Sequence, residues 1–268
     1  MANWDTFFIF AIAAMLCWAT AVVMAFIRKE RSGVEPLTVS FSLLGTLIYA
    51  SFIALFWIEL ERPPMRTMGE TRLWYSFFMG ILGLVIYLKW RYRWMLLFSA
   101  VMSTVFIMIN LLKPEIHTTG LMPALQSPWF VPHVTLYMFS YALLGCSFLL
   151  ALYSLFLRRR KDVARGYLRA ADNMVYIGMA FLTFGMLSGA LWAKEAWGHY
   201  WSWDPKETWA AVTWLSYLGY IHLRTYAPDK VRSSCWALIV SFLFLQMCWY
   251  GVNYLPQSET SAHSYYRD

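Results

Sequence analysis

Residues 191–214 read LWAKEAWGHYWSWDPKETWAAVTW: six tryptophans together with two lysines, two glutamates, an aspartate and a histidine. Indoles are rigid planes that stack at small entropic cost. Interleaved with charges, they suit a large, flat, apolar ligand with charged edges. Anchoring at a membrane surface is the ordinary duty of Trp and Tyr. It suffices for Trp18, Trp57, Trp74, Trp90 and Trp94, but poorly explains the run Trp192, Trp197, Trp201, Trp203 and Trp209 around Asp204 and Glu207. Asp204-Pro205 reads as a helix start, with Asp as N-cap and Pro at the first helical position. Glu207, three residues on, completes a capping box. Both carboxylates are therefore candidates for closing the loop as well as for touching a ligand.

The elements that carry this stretch follow from composition. The chain is 60% hydrophobic and 14% charged over 268 residues. A soluble domain carries about a quarter charged residues. Eight apolar stretches are long enough, or nearly so, to cross a bilayer: 6–27, 37–60, 73–88, 94–112, 133–157, 174–193, 208–223 and 235–253. They are too long for strands and lack period-two alternation. The expected fold is all-α, a polytopic membrane helical bundle of about eight transmembrane helices. Residues 1–268 form one integral membrane domain, with 191–214 as a tryptophan-rich loop and 254–268 as a tail.

The net charge of +7 raises the question of nucleic acid, but the basic residues sit in short runs between apolar stretches. That is membrane patterning, and no nucleic-acid partner is expected. Loops at 28–31, 89–93, 158–170 and 224–232 hold 15 of the 22 Lys and Arg, leaving 7 for the other side. The basic side belongs in the cytoplasm, so both termini, the tryptophan loop and the tail are expected outside. The start, MANWDTFFIF, lacks a basic leader and reads as no signal peptide. Cys17, Cys146, Cys235 and Cys248 form no Cys-x-x-Cys pair and read as small packing residues.

Haem matches the flat ligand: a macrocycle with vinyl groups on one edge and propionates on another. Its iron takes axial ligands such as His or Met. The outer side offers His117, His133, His199 and His263, while His222 falls at the inner end of the seventh stretch. Topology alone puts the four on one face without bringing them into bonding distance.

At these residues the sequence resembles a known family. WAKEAWGHYWSWDPKETWA, with Trp214 and HLRTY at 222–226, is similar to the tryptophan-rich signature of the CcsA (ResC) proteins of cytochrome c maturation. HVTLYMFSYALL from His133, and YGVNYL with HSY near the end, extend the resemblance over residues 128–268. The first four stretches agree mainly in hydropathy. The tail between GVN and HSY is longer and more polar than the family pattern, and no glycine follows the tyrosine.

The resemblance implies a subunit that moves haem b to the outer side and presents it for thioether attachment to the Cys-x-x-Cys-His segment of apocytochrome c. It implies a CcsB/ResB partner, room for a thiol-reducing protein, and haem lyase activity held by the complex. The membrane would be the bacterial inner membrane or a thylakoid-like one. His133 and His263 match the family's paired external axial ligands, and His222 an inner one completed by the partner. Trp192, Trp197, Trp201, Trp203, Asp204, Glu207 and Trp209 match its tryptophan-rich haem surface. His199 and His117 are expected to lie outside the haem contacts. Rival readings are a CcmC-like presenter of haem to a chaperone, a transporter of another aromatic or anionic ligand, and a structural subunit of a respiratory complex.

Overall fold

The computed structural model describes residues 3–27, 35–117, 127–157 and 161–255. Among them are eight α-helices and no strand. They are α1 (Phe7–Ile27), α2 (Pro36–Leu60), α3 (Met68–Trp90), α4 (Arg93–Leu112), α5 (Phe130–Phe156), α6 (Lys161–Trp197), α7 (Pro205–Tyr226) and α8 (Val231–Trp249). Seven of the eight are long and apolar enough to span a membrane. The exception is α7, where the 208–223 span was expected; Thr208, Thr213, Ser216, His222 and Arg224 dilute it. The chain is an integral membrane protein of all-α, polytopic class.

The chain divides into two compact units, Met1–Leu125 with α1–α4 and Gln126–Asp268 with α5–α8. Lipid is as apolar as leucine, so helices in a membrane gain little from burying apolar surface against one another. Close packing of small residues and interhelical hydrogen bonds hold them instead.

The first unit shows both devices. Buried positions on α1 are Phe7, Ala11, Ala14, Trp18, Ala21 and Ala25. The alternating steps of four and three make one straight seam, with alanines allowing close approach. Opposite it, Gly45 of α2 lies so near that a Cβ there would stand 2.9 Å from the Cys17 Cβ and 3.0 Å from the Ala14 carbonyl oxygen. Trp18 is 4% exposed and donates its indole N–H to Thr46 Oγ1 at 3.3 Å. This corrects its reading as an interfacial anchor. The alanine seam and Gly45 leave a space that only a large side chain fills. On α3 and α4, Ser76 and Ser103 each donate to the other's backbone carbonyl, at 3.4 and 2.9 Å.

The second unit is built on α5 against α6. Their register is antiparallel: His133 faces Gly185 and Gly189, Ser140 Oγ donates to the Gly178 carbonyl, and Ser154 Oγ to the Ala164 carbonyl. Helix α7 runs back along α6, with Trp214 donating to Thr183 Oγ1 at 2.9 Å and Arg224 bound to Asp172. The start of α6 was expected as part of a basic loop at 158–170. Lys161 onward is already helical: about three turns precede the apolar stretch, burying Ala164, Leu168 and Ala171 while the charged side chains between them reach water.

Candidate functional site

The tryptophan stretch is not one loop. Trp192 and Trp197 ride on the last turns of α6, Trp209 and Trp214 on the first turns of α7, and only residues 198–204 connect the two helices. Gly198 closes α6, with φ of 87° and its N–H on the Lys194 carbonyl at 3.0 Å. A left-handed residue just past a helix end is what glycine supplies without strain.

The two carboxylates do the closing at the other end. Asp204 Oδ1 accepts from the Lys206 N–H at 2.9 Å, and Asp204 and Glu207 form the reciprocal capping box read from the sequence. Glu207 Oε2 accepts from the backbone N–H of Ser202 at 2.8 Å and of Asp204 at 3.2 Å. Thr208 Oγ1 donates to the Trp203 carbonyl at 3.1 Å. These bonds hold Trp203 at φ of 58°, a left-handed conformation that a bulky residue avoids. Its indole is 71% exposed. Backbone strain kept under an exposed aromatic side chain points to a role for that side chain.

His133 lies in the first turn of α5, at the same end of this unit. Its Nδ1 is 2.8 Å from the Gly185 carbonyl oxygen. A carbonyl only accepts, so Nδ1 carries the proton and Nε2 the lone pair of the neutral ring. Trp192 is 2% exposed and stacks on the His133 ring, centroids 5.5 Å apart at 22°. Phe130 packs on Trp192 at 5.2 Å, and Trp197 meets it edge-on at 4.7 Å. Trp201 and Trp203 form a second edge-on pair at 5.8 Å. Trp209 turns toward Phe244 of α8 at 6.0 Å.

The fold therefore brings His133, Trp192 and Trp197 into one aromatic cluster, and places Trp201 and Trp203 on the connection that follows. His199 is exposed on that connection. His263 and the tail beyond residue 255 lie outside the described residues. His117 belongs to the first unit, stacked on Trp4 at 3.6 Å and 4° beside Arg62 and Glu70.

His222 occupies the far end of the second unit. Asp172 and Gly189 bracket α6 between the two histidine ends, and at 1.5 Å rise per residue that is roughly 25 Å. A bilayer core is about 30 Å thick. The His222 ring is exposed and its Nδ1 donates to Leu218 of its own helix at 3.0 Å. Beside it a polar knot ties α7 to α6. Arg224 donates to both carboxylate oxygens of Asp172, Nε at 2.9 Å and Nη2 at 2.8 Å, and Tyr220 Oη donates to the same group. In the sequence Arg224 showed only among the basic residues of the 224–232 loop and nothing singled out Asp172, because the pairing joins residues 52 apart in the chain.

Comparison with known proteins adds the family. The profile described as Cytochrome C assembly protein matches residues 6–258. The chain belongs to the cytochrome c assembly protein family. It is 31% identical over 256 residues to "Cytochrome c biogenesis protein CcsA" of Panax ginseng, covering 78% of this chain and 79% of that protein. The protein of that name from Lactuca sativa is 29% identical, covering 97% of this chain and 94% of its own. That of Trachelium caeruleum is 31% identical over 82% of each. The chain accordingly has a role in cytochrome c maturation, exercised from the membrane. The match reaches through the first four helices, where the sequence resemblance rested mainly on hydropathy.

Proposed function

We propose that this chain carries haem b from a site at His222 to a site at His133, and presents it there for thioether attachment to apocytochrome c. The observation that carries the reading is the His133 ring: its Nδ1 is committed to a backbone carbonyl and its face is stacked on Trp192, so ligation would fall to Nε2. A carbonyl holding the N–H on one side of the ring is the usual outer partner of a metal-bound histidine. The porphyrin lies against the indoles of Trp197, Trp201 and Trp203, with His263 supplying the second axial ligand. Asp204 and Glu207 act by shaping the connection, since their oxygens are engaged by backbone N–H groups. Trp209 acts from behind, packed on α8.

The bond-making step is an addition. Each thiol S–H of the Cys-x-x-Cys-His segment adds across a haem vinyl group, sulfur to one carbon and hydrogen to the other, with no net oxidation. The thiols must be reduced beforehand, which is the place of a thiol-reducing partner. What this chain supplies is a fixed haem edge in register with the thiols. Well-oriented encounters of this kind are worth about 7–11 kcal/mol in effective molarity at best. The arriving histidine of the substrate replaces one axial ligand as product forms. Haem lyase activity thus belongs to the complex with a CcsB/ResB-type partner, whose own histidine completes the site at His222.

The basic residues orient the chain with His222 toward the cytoplasm and His133, the tryptophan connection and both termini outside, in a bacterial inner or thylakoid-like membrane. The test is spectroscopic. Full-length protein purified from haem-replete cells shows a Soret band. His133→Gly and His263→Gly each stop cytochrome c formation and respond to added imidazole, which fills a vacated axial position. His222→Gly lowers the haem that arrives. Protein without a Soret band when haem is supplied, or neither outer histidine responding to imidazole, overturns the reading.

A further inference from the structure

Within the second unit, α6 has glycine at 185 and 189, one turn apart, facing His133 and Tyr137 of α5, also one turn apart. A methyl on Gly189 would stand 2.6 Å from His133 Nδ1 and 2.7 Å from its Cε1. No carbon sits that close to a ring atom, so the ring occupies space that any other residue would take. A methyl on Gly185 would strike the Tyr137 ring. The Gly185 carbonyl is the acceptor for Nδ1 at 2.8 Å, and Ser188 Oγ donates to the same oxygen at 3.0 Å.

From this we infer that Gly185 and Gly189 are positioning residues for the axial ligand, a notch that sets both the plane and the tautomer of His133. The inference rests on the reading of His133 as a haem ligand. The physical logic is that of an outer partner to a metal-bound histidine. The N–H opposite the metal is held by an acceptor, which fixes which nitrogen bears the lone pair and where it points. Here the acceptor is a helix backbone carbonyl. A bulky ring reaches this carbonyl because Gly189, one turn beyond Gly185, has no Cβ in the space the ring fills. Two glycines four apart also allow ordinary close helix packing. The structure provides its own control for that duty. Gly178 lies on the same α5–α6 interface, and a methyl there would meet Leu144 Cδ2 at 2.9 Å. It touches no histidine.

Five forms of the full-length chain test the inference: the parent, Gly189→Ala, Gly178→Ala, His133→Gly, and the double variant Gly189→Ala with His133→Gly. Each is read by its visible spectrum with and without imidazole, by its melting temperature in detergent, and by cytochrome c formed in cells. Losing an outer partner of a metal ligand typically costs about 10–100-fold in affinity or activity. Gly189→Ala should lose ligated haem and cytochrome c on that scale, and imidazole should restore the low-spin spectrum. Gly178→Ala should melt earlier but keep the parent spectrum. In the double variant the ring that the added methyl displaces is gone, so it should melt with His133→Gly and share its imidazole response. If Gly189→Ala alone fails to fold, the double variant decides: recovery supports the notch, and failure to recover overturns it. A parent-like spectrum in Gly189→Ala also overturns it, as does a Gly189→Ala defect that ignores imidazole while His133→Gly responds. If His133→Gly itself keeps the parent spectrum, the ligand assignment falls and the notch falls with it.

Discussion

The two histidine ends of the second unit are built differently. At one end His133 is gripped by another helix: Gly185 fixes its proton and Trp192 its face. At the other, His222 is tied to Leu218 of its own helix and stands exposed, while the rigid element beside it is the Asp172–Arg224–Tyr220 knot. Under the proposed function, the difference would let one unit both accept and hold the same ligand. A ring fixed by its surroundings is pre-organised and loses little freedom on ligation. A ring on an exposed helix face is accessible but incomplete, and suits a site finished by a partner. The knot then serves the exposed end, because it fixes the rotation of α7 on which the direction of His222 depends.

Breaking the knot should produce the largest change. Asp172 and Arg224 side chains are 12% and 11% exposed. Removing one partner of a buried pair strands the other charge and costs about 3–5 kcal/mol. Asp172→Asn should therefore lower the melting temperature sharply. Haem acquisition through His222 should fall with it, while the imidazole response of His133→Gly in the same background persists. A melting temperature equal to the parent's would mean that Arg224 finds water or another acceptor, and that the two ends are less distinct than their geometry.

The next effect is on the held end alone. Replacing Trp197, Trp201 and Trp203 together with Ala should cut haem retention strongly while membrane insertion stays intact. Stacking a base on an aromatic side chain is worth about 1–3 kcal/mol, and a porphyrin offers more surface than a base. Unchanged haem content in the well-expressed triple variant would reduce the connection to a membrane anchor.

Much of this arrangement could be read from the sequence, and the reasons for the exceptions are physical. Helices were legible because apolar runs of bilayer length have one solution. The Asp204–Glu207 capping box was legible because it is local, set by spacing along one chain. The extent of α6 was not: charged residues at 161–170 look like a loop until the helix is seen to continue into water. Trp18 was misread because burial depends on what the neighbouring helix lacks, and Gly45 is distant in sequence. The His133 notch failed to show for the same reason. Glycines in an apolar run signal close packing, but nothing in the run says which side chain enters the gap.

Trp203 separates stability from function at the held end. A non-glycine residue in the left-handed region costs about 1–2 kcal/mol. Trp203→Gly should therefore raise the melting temperature slightly, and at the same time lower haem retention. A variant both less stable and poorer in haem would show that the indole supports the connection itself rather than a ligand on it.

The smallest effects should come from the remaining two histidines, and they test whether stacking on tryptophan is by itself a sign of ligation. His117 and His133 share a surface description: each ring is stacked on an indole, Trp4 and Trp192, and each fills the gap left by a glycine, Gly69 and Gly189. A methyl on Gly69 would come within 2.7 Å of His117, but of its Cδ2, whereas on Gly189 it would meet the Nδ1 of His133. Carbon against the notch leaves packing as the contact's work. Nitrogen against the notch, with a carbonyl one turn away, sets a tautomer. His117→Gly should thus lose its stacking on Trp4, worth about 0.5–1.5 kcal/mol, visible as a drop in melting temperature. Cytochrome c formation and the haem spectrum should be unmoved. His199→Gly, exposed on the connection, should change neither. Restoration of a lost haem spectrum by imidazole in either variant would place an axial ligand there, and at His117 it would make stacking against a glycine gap, rather than the carbonyl bond, the mark of the site.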